Sequence, residues 1–137
     1  MICLDASFIG LILSPDEEGD QAMELFAQFK HERKSLIAPS LLTYEIGSIL
    51  TKKLRRKIID HADFMAAIDK FHRMGIKLID SHNFLEQLAP LIDAFPSLFV
   101  YDLSYLVIAK AHRARLFTAD KKFYRALHDT YPQVQLI

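Results

Sequence analysis

The chain lacks the features that mark secreted and membrane proteins. Its 137 residues include one cysteine and no tryptophan. A single cysteine cannot form an internal disulfide, and its place in the apolar run Met1-Ile2-Cys3-Leu4 predicts a buried, unreactive thiol. No apolar run approaches the roughly 20 residues of a membrane span, and the N-terminus lacks the basic stretch of a signal peptide. We therefore expect a cytoplasmic protein with no membrane contact.

The chain also lacks an excess of either charge. Its 17 Lys and Arg residues balance 17 Asp and Glu residues, so its formal net charge is zero. This balance argues against a protein that holds nucleic acid through its overall field, and any such contact must come from local patches. No repeat, low-complexity tract or linker divides the chain. Because 51% of it is hydrophobic, residues 1–137 are predicted to fold as a single domain.

Short apolar runs alternate with helical stretches along the chain. The runs are rich in Ile, Leu, Val and Phe, which favours buried strands. Such alternation indicates an α/β fold, with a parallel, doubly wound sheet and helices on both faces. The predicted strands cover residues 2–5, 35–38, 76–80, 115–118 and 133–136.

Several helix boundaries are also marked in the sequence. Asp60 is predicted to cap a helix that Gly75 ends. Ser40 follows a strand and is predicted to cap the next helix. The segment Ser14-Pro15-Asp16-Glu17 has the pattern of another helix start, with a first-turn proline and first-turn acids.

Four acidic residues lie where such a fold could bring them together. Asp5 closes the first strand, and Asp120 follows the strand at residues 115–118. Asp102 is predicted to open a helix. In open α/β sheets, ligands bind beyond the carboxyl ends of the strands, where strand order reverses. We therefore expect the three aspartates to share one end of the sheet, although each alone could serve only as an N-cap.

The fourth acid, Glu45, lies within a helix among apolar residues. Leu41, Leu42 and Ile49 are three or four positions away, which places Glu45 on a stripe that should face the core. A carboxylate there needs a partner, and no Lys or Arg lies beside Glu45 or Asp5 in sequence. Oxygen-only sites suit Mg²⁺ or Mn²⁺, and the six histidines are scattered without metal-ligand spacing. The four acids therefore suggest a metal-dependent phosphodiesterase.

Four segments follow one another in a characteristic order: Cys3–Ser7, Ala38–Glu45, Tyr101–Ala109 and Leu116–Phe123. Through these segments the sequence resembles the PIN domain, and most closely the VapC-like toxin ribonucleases of toxin–antitoxin pairs. The resemblance implies a three-layer αβα sandwich with a central parallel, roughly five-stranded sheet. It also implies Mg²⁺- or Mn²⁺-dependent cleavage of RNA by water, leaving a 5′-phosphate and a 3′-hydroxyl.

Matched residue by residue, the resemblance assigns roles to particular side chains. Ser7 and Thr118 match small hydroxyl residues that would fix the orientation of the carboxylates. Many relatives carry asparagine three residues after the glutamate. This chain has Ser48 there, which could still bond to Glu45 or to a metal-bound water. The residues matched to catalysis and metal binding are Asp5, Glu45, Asp102 and Asp120.

Two basic clusters could contact a polyanion. The run Lys52–Lys57 lies at the far end of the Glu45 helix, where its cations would either complement the helix dipole or contact RNA or an acidic partner. Lys121, Lys122 and Arg125 follow Asp120 closely and are predicted to contact the RNA backbone.

Three tyrosines adjoin the acids, namely Tyr44, Tyr101 and Tyr105. They could stack on bases, but packing in the core or in a pocket wall is the simpler expectation. The family resemblance also implies a small antitoxin protein as partner and a homodimer. Two other functions stay open: a PIN-like module that binds metal or RNA without nuclease activity, and a response-regulator receiver. The receiver is disfavoured because Asp5 is followed by Ala6 and Ser7 rather than by a second acid.

Overall fold

The computed structural model describes residues 1–14 and 16–137. Within these residues, five parallel strands form one sheet and seven helices flank it. The strands are β1 (Ile2–Leu4), β2 (Leu36–Pro39), β3 (Lys77–Ile79), β4 (Arg115–Thr118) and β5 (Val134–Leu136). The helices are α1 (Ala6–Leu13), α2 (Asp20–His31), α3 (Leu41–Arg55), α4 (His61–Arg73), α5 (Phe84–Ala94), α6 (Val100–Ala111) and α7 (Lys121–Leu127).

The predicted α/β fold is confirmed, and each predicted strand lies within a residue of the observed one. The strand order is β3-β2-β1-β4-β5, and all four neighbouring pairs are parallel. A receiver domain has the order 2-1-3-4-5 instead. The observed order therefore excludes the receiver alternative.

Strand order reverses between β1 and β4, and this reversal positions the candidate site. Successive strands are added on one side of β1 up to β3, and the chain then returns to place β4 on its other side. Leu4 is paired with Phe117 in register, and the N–H of Asp5 donates to the carbonyl of Phe117 at 3.2 Å. Residues that follow β1 and β4 therefore emerge beside each other, at the edge where open α/β sheets bind ligands.

The core is centred on the two middle strands and α6. All three residues of β1 are buried. Cys3 is one of them, so the prediction that the lone thiol is buried is confirmed. Helix α6 has seven consecutive buried residues, Leu103–Ala109. It contacts β1, β2 and β4 and is also packed against α5, which explains why it is apolar on every side. The helices α2, α3 and α4 are gathered around α1.

Two helix boundaries follow the sequence and two do not. Asp60 caps α4 and exchanges hydrogen bonds with Asp63, and Gly75 takes a left-handed φ of 69° beyond the end of that helix. Ser40 stands at the start of α3 but makes no capping bond. The predicted helix start at residues 14–17 is wrong, because α2 begins at Asp20; Pro15 itself lies outside the described residues.

The close approach of α1 and the start of α2 gives a stability prediction. A Cβ on Gly19 would collide with the carbonyl oxygen of Leu11, which is a backbone atom and cannot turn away. Gly19→Ala is therefore expected to lower the free energy of unfolding by about 1–3 kcal/mol, as overpacking does. Urea denaturation measures this change.

Gly47 supplies the matched control. It lies inside α3, and a Cβ there meets no atom within 4 Å. Gly47→Ala is expected to stabilise the protein by about 1 kcal/mol, since alanine is the better helix former. Equal effects of the two substitutions would contradict the packing described for Gly19.

Across residues 1–14 and 16–137, the helices fall short of the length and apolar character that crossing a membrane would require.

Candidate active site

The four acids converge on one cavity at the carboxyl ends of β1 and β4. This acidic cavity has a volume of about 200 Å³. Four different elements supply its carboxylates, because the fold brings the ends of β1 and β4, the side of α3 and the first turn of α6 together. No lysine, arginine or histidine lines it among the residues that the structure describes. The lining residues are Asp5, Ala6, Ser7, Glu45, Ile49, Asp102, Tyr105, Asp120 and Phe123.

Asp5 is the most buried of the four acids, with only 5% of its surface exposed. Its Oδ1 accepts hydrogen bonds from the backbone N–H of Phe8 at 2.8 Å and from the hydroxyl of Ser7 at 2.7 Å. Asp5 thus caps α1 as well as facing the cavity. Burial raises its pKa to about 6, against the opposing effect of hydrogen bonds from Thr118, Phe8 and Ser7. The nearby charge of Asp120 raises this pKa slightly further.

Two hydroxyls connect the ends of β1 and β4. Ser7 Oγ lies 3.2 Å from Thr118 Oγ1 and accepts from the N–H of Ala119 at 2.8 Å. Thr118 Oγ1 accepts from the N–H of Asp120 at 2.9 Å, and Thr118 is completely buried. The two side chains therefore hold the backbone of Asp120 in a fixed position relative to the carboxylate of Asp5.

Glu45 is half-buried and has a phenolic partner. The hydroxyl of Tyr105 donates to Glu45 Oε2 at 2.5 Å across 60 residues of sequence. Burial raises the pKa of Glu45, the bond from Tyr105 opposes that rise, and the charge of Asp102 adds to it. The pKa of the Tyr105 phenol is itself raised by burial and by Glu45, so this hydroxyl stays protonated and able to donate. Tyr105 thus orients one oxygen of Glu45.

Only a weak sequence signal indicates this role of Tyr105. It lies three residues after Asp102 on α6, which places both side chains on the same side of the helix. The prediction of core or pocket-wall packing fits Tyr105, which is 3% exposed. Tyr44 and Tyr101 differ: they are 76% and 61% exposed, and they line cavity walls.

Removal of the Tyr105 hydroxyl tests its positioning role. Tyr105→Phe is expected to slow the metal-dependent RNA cleavage that the family resemblance implies by about 10- to 100-fold, the range seen when a partner of a ligand side chain is lost. Without the phenol, the pKa of Glu45 should rise further, so the pH–rate profile should shift to higher pH. Both effects are measured by cleavage kinetics across pH.

Tyr131 is the matched control for this experiment. Its hydroxyl donates to the carbonyl of Ala114 at 2.6 Å, at the end of β4 opposite to the acids. Tyr131→Phe removes a similar buried hydrogen bond, which costs about 1 kcal/mol of stability, and should leave the cleavage profile unchanged. Indistinguishable profiles for the two variants would refute the role given to Tyr105.

The remaining two carboxylates are engaged with backbone N–H groups at helix starts. Asp120 Oδ1 caps α7 by accepting from Lys122 at 2.7 Å and from Phe123 at 3.0 Å. Asp102 Oδ2 accepts from the N–H of Phe99 at 3.3 Å. Asp102 was predicted to open its helix, but α6 begins two residues earlier, at Val100. The capping interpretation therefore holds for Asp120 and, in a different position, for Asp102.

The donor set fits a hard divalent cation by its chemistry. Carboxylate and hydroxyl oxygens line the cavity, and oxygen ligands are those that Mg²⁺ and Mn²⁺ prefer. No Lys, Arg or His among the described residues lines it to compete with a cation. In the described part of the chain, however, no three His, Cys, Asp or Glu side chains are arranged as a ready metal cluster. Glu45, Asp102 and Asp120 each use one carboxylate oxygen in a hydrogen bond. The second oxygen of each carboxylate makes no hydrogen bond among the described residues, which leaves it available to a cation.

The other predicted site residues lie around the acidic cavity. Ser48 is exposed and makes no hydrogen bond to Glu45 among the described residues; both line a neighbouring cavity. Within the basic run of α3, Lys53 forms ion pairs with Asp16 and Glu17, each at 2.7 Å. These ion pairs compete with any contact between Lys53 and a polyanion. Lys52 lines the neighbouring cavity. Exposed cations follow Asp120 on α7, namely Lys121, Lys122 and Arg125.

Comparisons with known proteins identify the family and the fold. The sequence model of the PIN domain matches residues 2–127. Among solved structures, the chain is similar to the crystal structure of PAE2754 from Pyrobaculum aerophilum, with a TM-score of 0.67 and 20% identity. That similarity covers 91% of this chain and 83% of the other, and at this identity it concerns the fold alone. None of the curated proteins matches the sequence.

Proposed function

The chain belongs to the PIN domain family, and from this premise we propose that it is a Mg²⁺- or Mn²⁺-dependent endoribonuclease. PIN domains are generally nucleases, and PIN nucleases act on RNA. We propose further that residues 1–137 act as a single PIN domain. The observation that carries the proposal is the convergence of four carboxylates, from four separate elements, on one cavity at the switch point of the sheet.

In the proposed reaction, the aspartates hold the cation and Glu45 serves the attacking water. Asp5, Asp102 and Asp120 would bind the cation directly or through water. When bound, the cation would polarise the phosphoryl group and lower the pKa of its water. Glu45 would contact the cation or orient the attacking water. Its raised pKa and its fixed Oε2 leave Oε1 suited to accept a proton from that water.

The hydroxyls keep the aspartates in place during this chemistry. Ser7 donates to Asp5, and Thr118 fixes the backbone of Asp120, so the two carboxylates that follow β1 and β4 keep their separation. This support comes from side chains that are buried or half-buried, which limits their freedom to move.

The cations of α7 would hold the RNA backbone beside the acids. Lys121, Lys122 and Arg125 are exposed and follow Asp120 directly in the chain. Phosphate contacts of this kind set position and affinity without reading sequence. Since the net charge is zero, this patch would contribute most of the salt dependence of RNA binding.

A PIN-like module that binds metal or RNA without cutting is the second candidate. The engagement of Asp102 and Asp120 in helix starts, and the lack of a ready metal cluster in residues 1–14 and 16–137, favour it. Like-charged carboxylates without a counter-ion would also turn toward N–H donors in an active enzyme. The capping contacts are therefore compatible with both candidates.

A ribonuclease assay separates the two. Purified protein is incubated with a labelled RNA and Mg²⁺ or Mn²⁺, with and without EDTA. The nuclease proposal expects internal cuts that leave 5′-phosphates and that stop in EDTA. Binding of RNA without cuts in either metal would select the binding module.

We also propose that the enzyme is the toxin of a toxin–antitoxin pair, a homodimer acting on RNA in the cytoplasm. The support is the resemblance of four ordered segments to VapC-like toxins. Induced expression should then arrest growth, and coexpression of a small antitoxin protein from a neighbouring gene should relieve the arrest. Light scattering should give the mass of two chains. Growth that is unaffected by an active ribonuclease would reject the toxin role alone.

A further inference from the structure

Two exposed tyrosines stand directly beside the acids. Tyr44 precedes Glu45 and Tyr101 precedes Asp102, and the two rings are 76% and 61% exposed. Both line one cavity of about 400 Å³, here called the tyrosine cavity. Its wall shares Ala6, Glu45 and Ile49 with the acidic cavity, so the two spaces are adjacent. A ligand that reaches the acids therefore has aromatic rings within reach on this side.

A third space lies beyond Tyr101. This distal cavity, of about 330 Å³, shares Leu41 and Tyr101 with the tyrosine cavity. It lies at the carboxyl ends of β2 and β3, beside the starts of α5 and α6. Most of its wall is apolar, from Pro39, Leu41, Ile79, Phe84, Val100 and Ile108.

The tyrosine cavity and the distal cavity differ in the charged residues on their walls. Lys52 lines the tyrosine cavity and could meet a phosphate, whereas the only charged residue on the described wall of the distal cavity is Asp80. An acidic residue on an apolar wall repels phosphate and accepts hydrogen bonds from N–H groups. The hydroxyl of Ser40 adds a polar group, since it makes no capping bond to α3. The occupant that fits is flat, uncharged and has N–H donors at its edge.

We propose that the distal cavity binds an unpaired nucleobase of an RNA whose scissile phosphate lies at the acids, with Tyr101, on the wall between the tyrosine cavity and the distal cavity, as the stacking platform. This inference rests on the proposed function and specifies where one unpaired base of the RNA substrate is bound. Sequence-tolerant binding of single strands combines cations along the backbone with aromatic rings under the bases. Bases of a duplex are paired and stacked inside the helix and cannot enter such a space. The volume is at the small end of the roughly 300–1,000 Å³ of small-molecule sites, as suits one base.

The test replaces Tyr101 and measures both binding and cleavage. Tyr101→Ala should raise the Kd of a fluorescein-labelled, mixed-sequence single-stranded RNA, and the KM for its cleavage, by about 5- to 100-fold, the effect of losing one stacked base. Binding is measured by anisotropy in EDTA, where no cleavage occurs. Tyr101→Phe keeps the ring and should restore most of the RNA affinity that Tyr101→Ala loses. The perfect duplex of the same RNA should bind the wild-type protein more weakly.

Leu85→Ala is the control for general surface effects. Leu85 is 72% exposed, stands next to Phe84 on α5 and lines none of the three cavities. Its replacement should leave Kd and KM unchanged.

Unchanged values for Tyr101→Ala, or equal binding of duplex and single strand, would overturn the inference. The inference would also be overturned if Tyr101→Ala weakened binding of a protein partner and left RNA binding unchanged. A wild-type protein that cuts no RNA in Mn²⁺ would refute the proposed function, while anisotropy in EDTA would still decide the base site.

Discussion

Replacement of Asp5 by asparagine is expected to reduce the proposed metal-dependent RNA cleavage by more than about 100-fold, because even indirect partners of a metal ligand contribute 10- to 100-fold. Asp5 is the buried acid at the end of the central strand, where strand order reverses. Asparagine keeps the shape of the side chain and one acceptor oxygen but removes the negative charge. Single-turnover cleavage in Mg²⁺ and in Mn²⁺ measures the loss.

The same substitution should leave the fold intact. The oxygen of asparagine can still accept from Phe8 and Ser7, and the substitution removes a charge that burial disfavours. Asp93→Asn, at an exposed acid of α5, is the control for loss of one carboxylate and should cleave at the wild-type rate. Full activity of a clean Asp5→Asn preparation would reject the site assignment.

The second large effect is a pH dependence of stability that originates from Asp5. Its pKa rises from 3.8 to about 6 in the folded protein, because burial disfavours the charged form. The folded state therefore binds the proton more tightly than the unfolded chain does. The resulting stabilisation is complete below about pH 4 and is lost as the pH rises through about 6. The difference between the two pKa values corresponds to about 3 kcal/mol.

Urea denaturation in EDTA at pH 5 and pH 7 measures this dependence. The wild-type protein should lose stability between the two values, and Asp5→Asn should lose markedly less. Mn²⁺ should restore stability at pH 7 more than at pH 5, because protons compete with the cation for the carboxylate. The same pH dependence in both proteins would show that the charge of Asp5 is not the cause.

Much of the fold could be predicted because its strands are short, apolar and separated by helical stretches. That pattern defines a parallel sheet with helices against it, and the acids that follow β1 and β4 were then expected at one edge. Even the edge strand β3 was recognisable from Ile76, Leu78 and Ile79, although Lys77 and Leu78 are exposed at the sheet's border. The sequence pattern indicates which segments form strands, but it does not indicate which strand lies at the edge of the sheet.

The errors concern contacts that local sequence does not specify. The pattern at Ser14 and Asp16 is typical of a helix start, yet the structure uses the Ser14 hydroxyl for a bond to Asp16 at 2.5 Å and begins α2 at Asp20. The Tyr105 to Glu45 bond joins two helices that are distant in sequence, so no spacing rule could reveal it.

We propose above all that the four carboxylates of the acidic cavity bind a hard cation together. Titration of the metal-free protein with Mn²⁺ at pH 7, followed by electron paramagnetic resonance of the free ion, tests it most directly. The wild-type protein should bind Mn²⁺ saturably. This binding should be abolished or strongly weakened in Asp5→Asn and unchanged in Asp93→Asn. Absence of binding by the wild-type protein at millimolar Mn²⁺, or equal binding by Asp5→Asn, would contradict it.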